Sequence, residues 1–283
     1  MKFVSFTTTT KDERYGILTP EGVIELGPRL GADALTLADA LAHFSHAQLA
    51  QYASLPHDHA LSDVHYLPVI PRPNKILCIG MNYAQKRQEF ASTDEAPTLF
   101  VRFADSQTGH EQPVIKPSCT EQFDYEGELA FVIGKAGRQI APENAYEHIA
   151  GYSIYMDGSV RDWQHSWFTA GKNWPQTGSF GPALVTRDEI PDPHALTLRT
   201  RINGEELQYD HTRNMIHTIP EIVAYISTFT PLSPGDVILT GSPGNVGKSL
   251  VPPRYLHTGD VVEVEITRLG VLRNTITDAA NTE

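Results

Sequence analysis

The 283 residues suffice for one large domain with a small appendage, or for two modest domains, and for a sizeable buried core. Hydrophobic residues at 40% and charged residues at 20% exclude a disordered chain. The formal net charge of −12 argues against a nucleic-acid partner, because such a surface repels phosphate backbones.

The opening residues, Met1-Lys2-Phe3-Val4-Ser5-Phe6, lack a long apolar stretch and a cleavage site, so no signal peptide is expected. Tyr15-Gly16-Ile17-Leu18 and Val23-Ile24-Glu25-Leu26 flank a Pro20-Glu21-Gly22 turn signal and predict a strand pair. Leu37, Ala38, Leu41 and Phe44 recur at helical spacing. The proline-rich run Leu67 to Pro73 predicts an extended linker, which divides the chain into a small N-terminal domain, residues 1–70, and a larger one, 71–283. Cys78 sits in the apolar run Ile76-Leu77-Cys78-Ile79 and reads as a buried hydrophobe. With Cys119 as the second cysteine, no disulfide framework is implied.

Beyond the linker the pattern is mostly β. Leu129 to Ile133 is a short apolar run ended by Gly134. Leu196 to Ile202 alternates and leads into Asn203-Gly204, a two-residue hairpin signal because both positions tolerate positive φ. Asp236 to Thr240 predicts another strand, and Val262, Val264 and Ile266 alternate with polar residues as in a half-solvated one. Thr218-Ile219-Pro220-Glu221 fits a capping box opening a helix through Ile222, Val223, Ile226 and Phe229. Many short strands with turn signals predict a curled β core. No stretch approaches the roughly 18 apolar residues of a membrane span, and a cytoplasmic location is expected.

The acidic residues carry the chemistry. In extended chain, Glu126 and Glu128 project to one face. Two carboxylates so close repel unless neutralised, and a hard divalent cation does that. The plainer reading is two solvated glutamates at a strand edge. Asp157 ends a predicted strand at a glycine turn. One helical turn could gather it with Arg161 and Gln164 into a metal or substrate-carboxylate site, or simply form a capped helix with a surface ion pair. An acidic protein that takes an anionic substrate needs such a local positive device.

Four segments in order resemble the fumarylacetoacetate hydrolase family: Ile79-Gly80-Met81-Asn82-Tyr83 with Glu89 downstream, Asp124 to Leu129, Met156 to Gln164, and Leu239 to Pro243. The Gly171-Lys172-Asn173 stretch and Gly181-Pro182 also match, so the resemblance spans roughly residues 75 to 275. It implies an α+β, mostly β fold built on a rolled mixed β-sheet, preceded by a small N-terminal α/β domain and assembled as a homodimer. It implies Mg²⁺ or Mn²⁺ held by Glu126, Glu128 and Asp157, with Lys172 near metal and substrate. Arg161, Gln164, Tyr83 and Ser242 match substrate-contacting positions, Ser242 standing where the family usually has threonine.

The resemblance implies a hydrolase cleaving a C–C bond in a small acylpyruvate- or fumarylpyruvate-like acid. The alternatives are a 2-oxo acid decarboxylase, hydratase or isomerase on the same site, and an inactive binding protein of the same fold. One departure bears on this choice. Hydrolytic members carry a histidine four residues after the asparagine, paired with a glutamate as general base; here Lys86 stands there and Glu89 is kept. Lysine, with an ordinary pKa of about 10.4, is a poor base. Paired with Glu89 it is expected to stay charged and to bind a substrate carboxylate, leaving Glu89 itself, or loosely His110, to activate any water.

Overall fold

The computed structural model describes residues 1–93 and 95–279. Strands β1 (Lys2–Thr7), β2 (Arg14–Leu18) and β3 (Val23–Glu25) form an antiparallel meander, followed by helices α1 (Leu37–His43) and α2 (His46–Ala50). Helix α1 starts at Thr36 because the Asp39 carboxylate and the Thr36 hydroxyl satisfy each other's backbone N–H groups. Next come β4 (Ile76–Gly80), α3 (Ala84–Glu89) and β5 (Thr98–Arg102), then β6 (Gly127–Ile133) and β7 (Ile149–Met156). The chain continues through α4 (Thr169–Lys172), β8 (Gly178–Thr186), β9 (Thr197–Ile202) and β10 (Glu205–His211). It ends with α5 (Ile219–Phe229), β11 (Val237–Leu239), β12 (Val261–Ile266) and β13 (Gly270–Asp278).

The large sheet runs in the order β3-β2-β1-β8-β7-β6-β11-β4-β5, and a second sheet runs β10-β9-β12-β13. Both are open. The large one is mixed, since β11 pairs with β4 in parallel. The fold is therefore the mostly β, mixed-sheet α+β architecture the sequence predicts. The N-terminal meander is hydrogen-bonded into the large sheet, with Lys2 opposite Val185 and Phe3 opposite Leu184.

The large sheet has a core on each face, which explains why β6 reads as an unbroken apolar run. Leu129, Phe131 and Ile133 enter the core shared with the second sheet and α5. Ala130 and Val132 enter the core shared with Phe3, Tyr15, Leu37 and Leu49 of the N-terminal segment. Full burial of a side chain such as Phe131 contributes roughly 1.5–3 kcal/mol. Helix α5 presents Ile219, Ile222, Val223 and Ile226 to the core, while Phe229, counted with them in the sequence pattern, lies exposed beside Tyr225. The predicted hairpin forms: Asn203 and Gly204 both take positive φ, 54° and 84°, between β9 and β10.

Gly127, which separates Glu126 from Glu128, is where β6 touches the second sheet. A Cβ there would lie 2.3 Å from Thr200 Oγ1 and 2.9 Å from Val264 Cγ1. Its N–H also donates to Gln208 Oε1 at 3.0 Å. Gly127→Ala is expected to cost about 1–3 kcal/mol through overpacking, read as a lower urea midpoint at unchanged slope.

Candidate active site and metal centre

The antiparallel register of β6 and β7 builds the centre. Glu128 lies opposite Tyr155 and Gly127 opposite Met156. One step further, the Asp157 N–H donates to the Glu126 carbonyl at 2.8 Å. Glu126 and Asp157 are thus cross-strand neighbours, and Glu128 stands two residues along on the same face. All three are buried, and one carboxylate oxygen from each lies within 4.8 Å of the others.

Cations surround two of the three. Glu126 Oε1 accepts from Lys86 Nζ at 2.7 Å and Arg161 Nη2 at 2.6 Å, and its Oε2 accepts from Lys172 Nζ at 2.7 Å. Asp157 Oδ2 accepts from Lys172 Nζ, and Oδ1 from Arg102 Nη1. Among the described residues no cation hydrogen-bonds to Glu128, which accepts from the Gly241 N–H at 2.8 Å. Burial would raise the Glu126 carboxyl, but Lys172, Lys86 and Arg161 together hold it well below the usual range. Burial and the charges of Asp157 and Glu126 push Glu128 well above it. Three buried carboxyl groups this close together are what a hard cation would let ionise together. An all-oxygen donor set suits Mg²⁺ or Mn²⁺.

Arg161 is fixed by Asp124, whose Oδ2 accepts from its Nε at 2.7 Å while Gly247 N–H donates to Oδ1 at 2.7 Å. Gln164 Oε1 accepts from Arg161 Nη1 at 3.2 Å. The helical turn expected over Asp157 to Gln164 is shorter: a 3-10 turn spans only Arg161–Trp163. Asp157 joins the site through the strand register instead. Ser242 Oγ lies 3.2 Å from Lys86 Nζ. Ser242, Lys86, Arg161 and Lys172 line one narrow cleft with Glu126 and Glu128, walled by Phe100 and Phe168.

The expected Lys86–Glu89 pair does not form. Lys86 is buried and turned to Glu126 and Ser242, and burial lowers its pKa against the opposing pull of Glu126. Glu89 Oε1 instead accepts from the Asn245 N–H at 2.7 Å and from Gln85 Nε2 at 3.1 Å, tying α3 to the loop after Ser242. The reason is geometric: side chains three apart on one helical turn here face different neighbours, the triad and the loop. Tyr83 is not brought to the cleft; it is wholly buried in the core and bridged to Met215. His110 is not among the residues lining the cleft; its Nδ1 accepts from the Arg273 N–H at 3.1 Å and its ring is edge-on to Tyr66.

Sequence reasoning missed Arg102 and the holding role of Asp124. Arg102 donates to Asp157, Gly158 O, Ser106 and Thr177, all within the protein. It stands 55 residues from Asp157 at the end of an ordinary strand, and no local pattern marks it.

The fold and the site together define a buried carboxylate centre within a cationic cleft. The residues from 75 to 277 match the family model for the fumarylacetoacetate (FAA) hydrolase C-terminal domain. The chain is 41% identical over 238 residues to oxaloacetate tautomerase fahd2, mitochondrial, of Xenopus laevis, covering 81% of this chain and 74% of that protein. It is 40% identical to oxaloacetate tautomerase YisK of Bacillus subtilis, covering 81% of this chain and 80% of that one. It superposes on maleylpyruvate hydrolase from Sphingobium sp. SYK-6, in complex with manganese(II) ion and pyruvate, with a TM-score of 0.83 at 25% identity, covering 99% of this chain and all of that one. The chain belongs to the fumarylacetoacetate hydrolase family. Its relatives in that family are enzymes acting on small oxo acids, and among its described residues no helix is long and apolar enough to cross a membrane.

Removing Arg102 leaves Asp157 buried beside one lysine alone. Arg102→Met is expected to cost about 3–5 kcal/mol of folding stability, measured by urea denaturation followed by circular dichroism.

Proposed function

We propose that this chain is a divalent-metal-dependent tautomerase that interconverts the keto and enol forms of a small 2-oxo diacid of the oxaloacetate class. The observation that carries this reading is the site's charge and partner pattern. Lys86 lines the cleft against Glu126 and is not paired with Glu89, and no histidine lines the cleft among the described residues. Water activation by a His–Glu pair has no counterpart here, whereas tautomerisation only moves a proton from carbon to oxygen and consumes no water. The names of the relatives point the same way.

Glu126, Glu128 and Asp157 would hold the Mg²⁺ or Mn²⁺ ion. When bound, the ion supplies Lewis-acid polarisation of the substrate's oxo group. Lys172, held charged by Asp157 and Glu126 although burial opposes it, adds positive charge where the enolate oxygen develops. Lys86, Arg161 and Ser242 bind carboxylate oxygens, and Gln164, whose amide nitrogen is buried without a partner, offers a further donor. Glu89 serves as a strut holding α3 against the Asn245 loop.

Charge balance favours a diacid. With an ion bound and Glu128 ionised, Asp124, Glu126, Glu128 and Asp157 would set four negative charges against the four positive ones of Lys86, Arg102, Arg161 and Lys172. A loaded site therefore has two unmatched positive charges, the complement of a dicarboxylate dianion. Hydrolysis of an acylpyruvate remains a second reading, supported by the maleylpyruvate hydrolase likeness over the whole chain. The location we infer is the cytoplasm, and the assembly a homodimer.

Mixing the metal-loaded protein with enol oxaloacetate and following the loss of ultraviolet enol absorbance tests the reading. The rate is expected to exceed buffer with metal alone and to vanish with chelator. Product analysis showing pyruvate or acid fragments in place of the keto isomer would count against it. Glu128→Gln or Asp157→Asn is expected to lower kcat/KM by at least about a hundredfold. Lys86→Ala is expected to raise KM more than it lowers kcat, the signature of a lost substrate-binding cation.

A further inference from the structure

Lys172 occupies an unusual place for a residue that acts on substrate. Its Nζ donates to Glu126 Oε2, to Asp157 Oδ2 and to Ser159 Oγ, the last at 2.7 Å. Two of these acceptors belong to the triad assigned to the metal. The ammonium also lies 5.1 Å from the centroid of the Phe100 ring, and the side chain is 2% exposed. It therefore does part of what a cation would do: it neutralises two buried carboxylates that would otherwise repel.

We propose that Lys172 is a built-in competitor for the metal, an internal cation on the carboxylates of Glu126 and Asp157 that would have to shift toward Ser159 and the Phe100 ring for an ion to bind there. The inference rests on the metal assignment above. Its physical basis is that a divalent ion held by Glu126 and Asp157 would lie close to the ammonium that the same two carboxylates already hold, and like charges repel strongly in a buried site. Ser159 Oγ and the Phe100 face supply the contacts that keep the displaced ammonium solvated by protein. Binding of an ion would work against this repulsion, and Lys172, released from two partners, would be able to turn to a substrate oxygen. Metal loading and arming of the lysine are then one event.

The consequence is counterintuitive for a residue of the active site: removing it should tighten metal binding. Chelator-treated wild type, Lys172→Met and Lys172→Arg would be titrated with Mn²⁺ by calorimetry, with free Mn²⁺ followed by electron paramagnetic resonance. Lys172→Met is expected to bind Mn²⁺ at least about tenfold more tightly than wild type, while Lys172→Arg, which keeps the charge, binds no more tightly. Equal or weaker binding by Lys172→Met overturns the proposal. No Mn²⁺ binding by the wild type overturns the metal assignment itself, so the two failures are distinguishable.

Should Lys172→Met fold only when loaded, its melting temperature becomes the readout. A larger rise on adding Mn²⁺ than in wild type supports competition, and a smaller rise overturns it. Phe100→Leu supplies an independent check. It should weaken Mn²⁺ binding when Lys172 is present and leave it unchanged in the Lys172→Met background; equal weakening in both backgrounds overturns the relocation.

Discussion

The structure depends on the pairing of two antiparallel strands, β6 and β7, at the point where both run out of apolar residues. Inside the sheet their side chains are core. At the shared end, register alone sets Glu126 across from Asp157, with Glu128 two residues along the same face. The carboxylates are thus gathered by the most rigid part of the fold. A one-residue slip of one strand would turn its carboxylates to the opposite face from those of the other. Gly127 secures that register by letting the second sheet approach to where a methyl group would collide.

Burying carboxylates demands compensation, and the chain supplies it from four separate elements: Lys86 on α3, Arg102 on β5, Arg161 after β7 and Lys172 on α4. Each is itself buried, so each needs its own acceptors, and the result is a closed network with Asp124 as an outer support. Glu128 is hydrogen-bonded by the Gly241 N–H and by none of these four cations. The triad is therefore a preformed set of buried oxygen donors that could hold a metal ion.

Much of this was legible in the sequence, for definite reasons. The i, i+2 spacing of Glu126 and Glu128 survives any detail of packing, because it follows from strand geometry. The capping boxes at Thr36 and Thr218 and the Asn203-Gly204 turn are local, and local rules read them. What failed was non-local or depended on direction. Lys86 and Glu89 sit one helical turn apart, but one faces the triad and the other a loop contributed some 156 residues later. Asp157 reaches the site through cross-strand pairing, which no helical spacing could show. Arg102 had no signal at all, since a lone arginine at a strand end becomes informative only once its partner is known.

The way the first strands are sewn into the large sheet has a further consequence. Strand β1 covers the edge of β8, and Phe3, Leu26 and Leu37 cover the apolar face beside it. A chain shortened to begin at the linker would bare both a row of unpaired backbone groups and a greasy sheet face, a template for sticking to its own kind. The small leading segment is thus a guard for the larger body's solubility, and light scattering from a trimmed chain that stayed monodisperse would deny it that part.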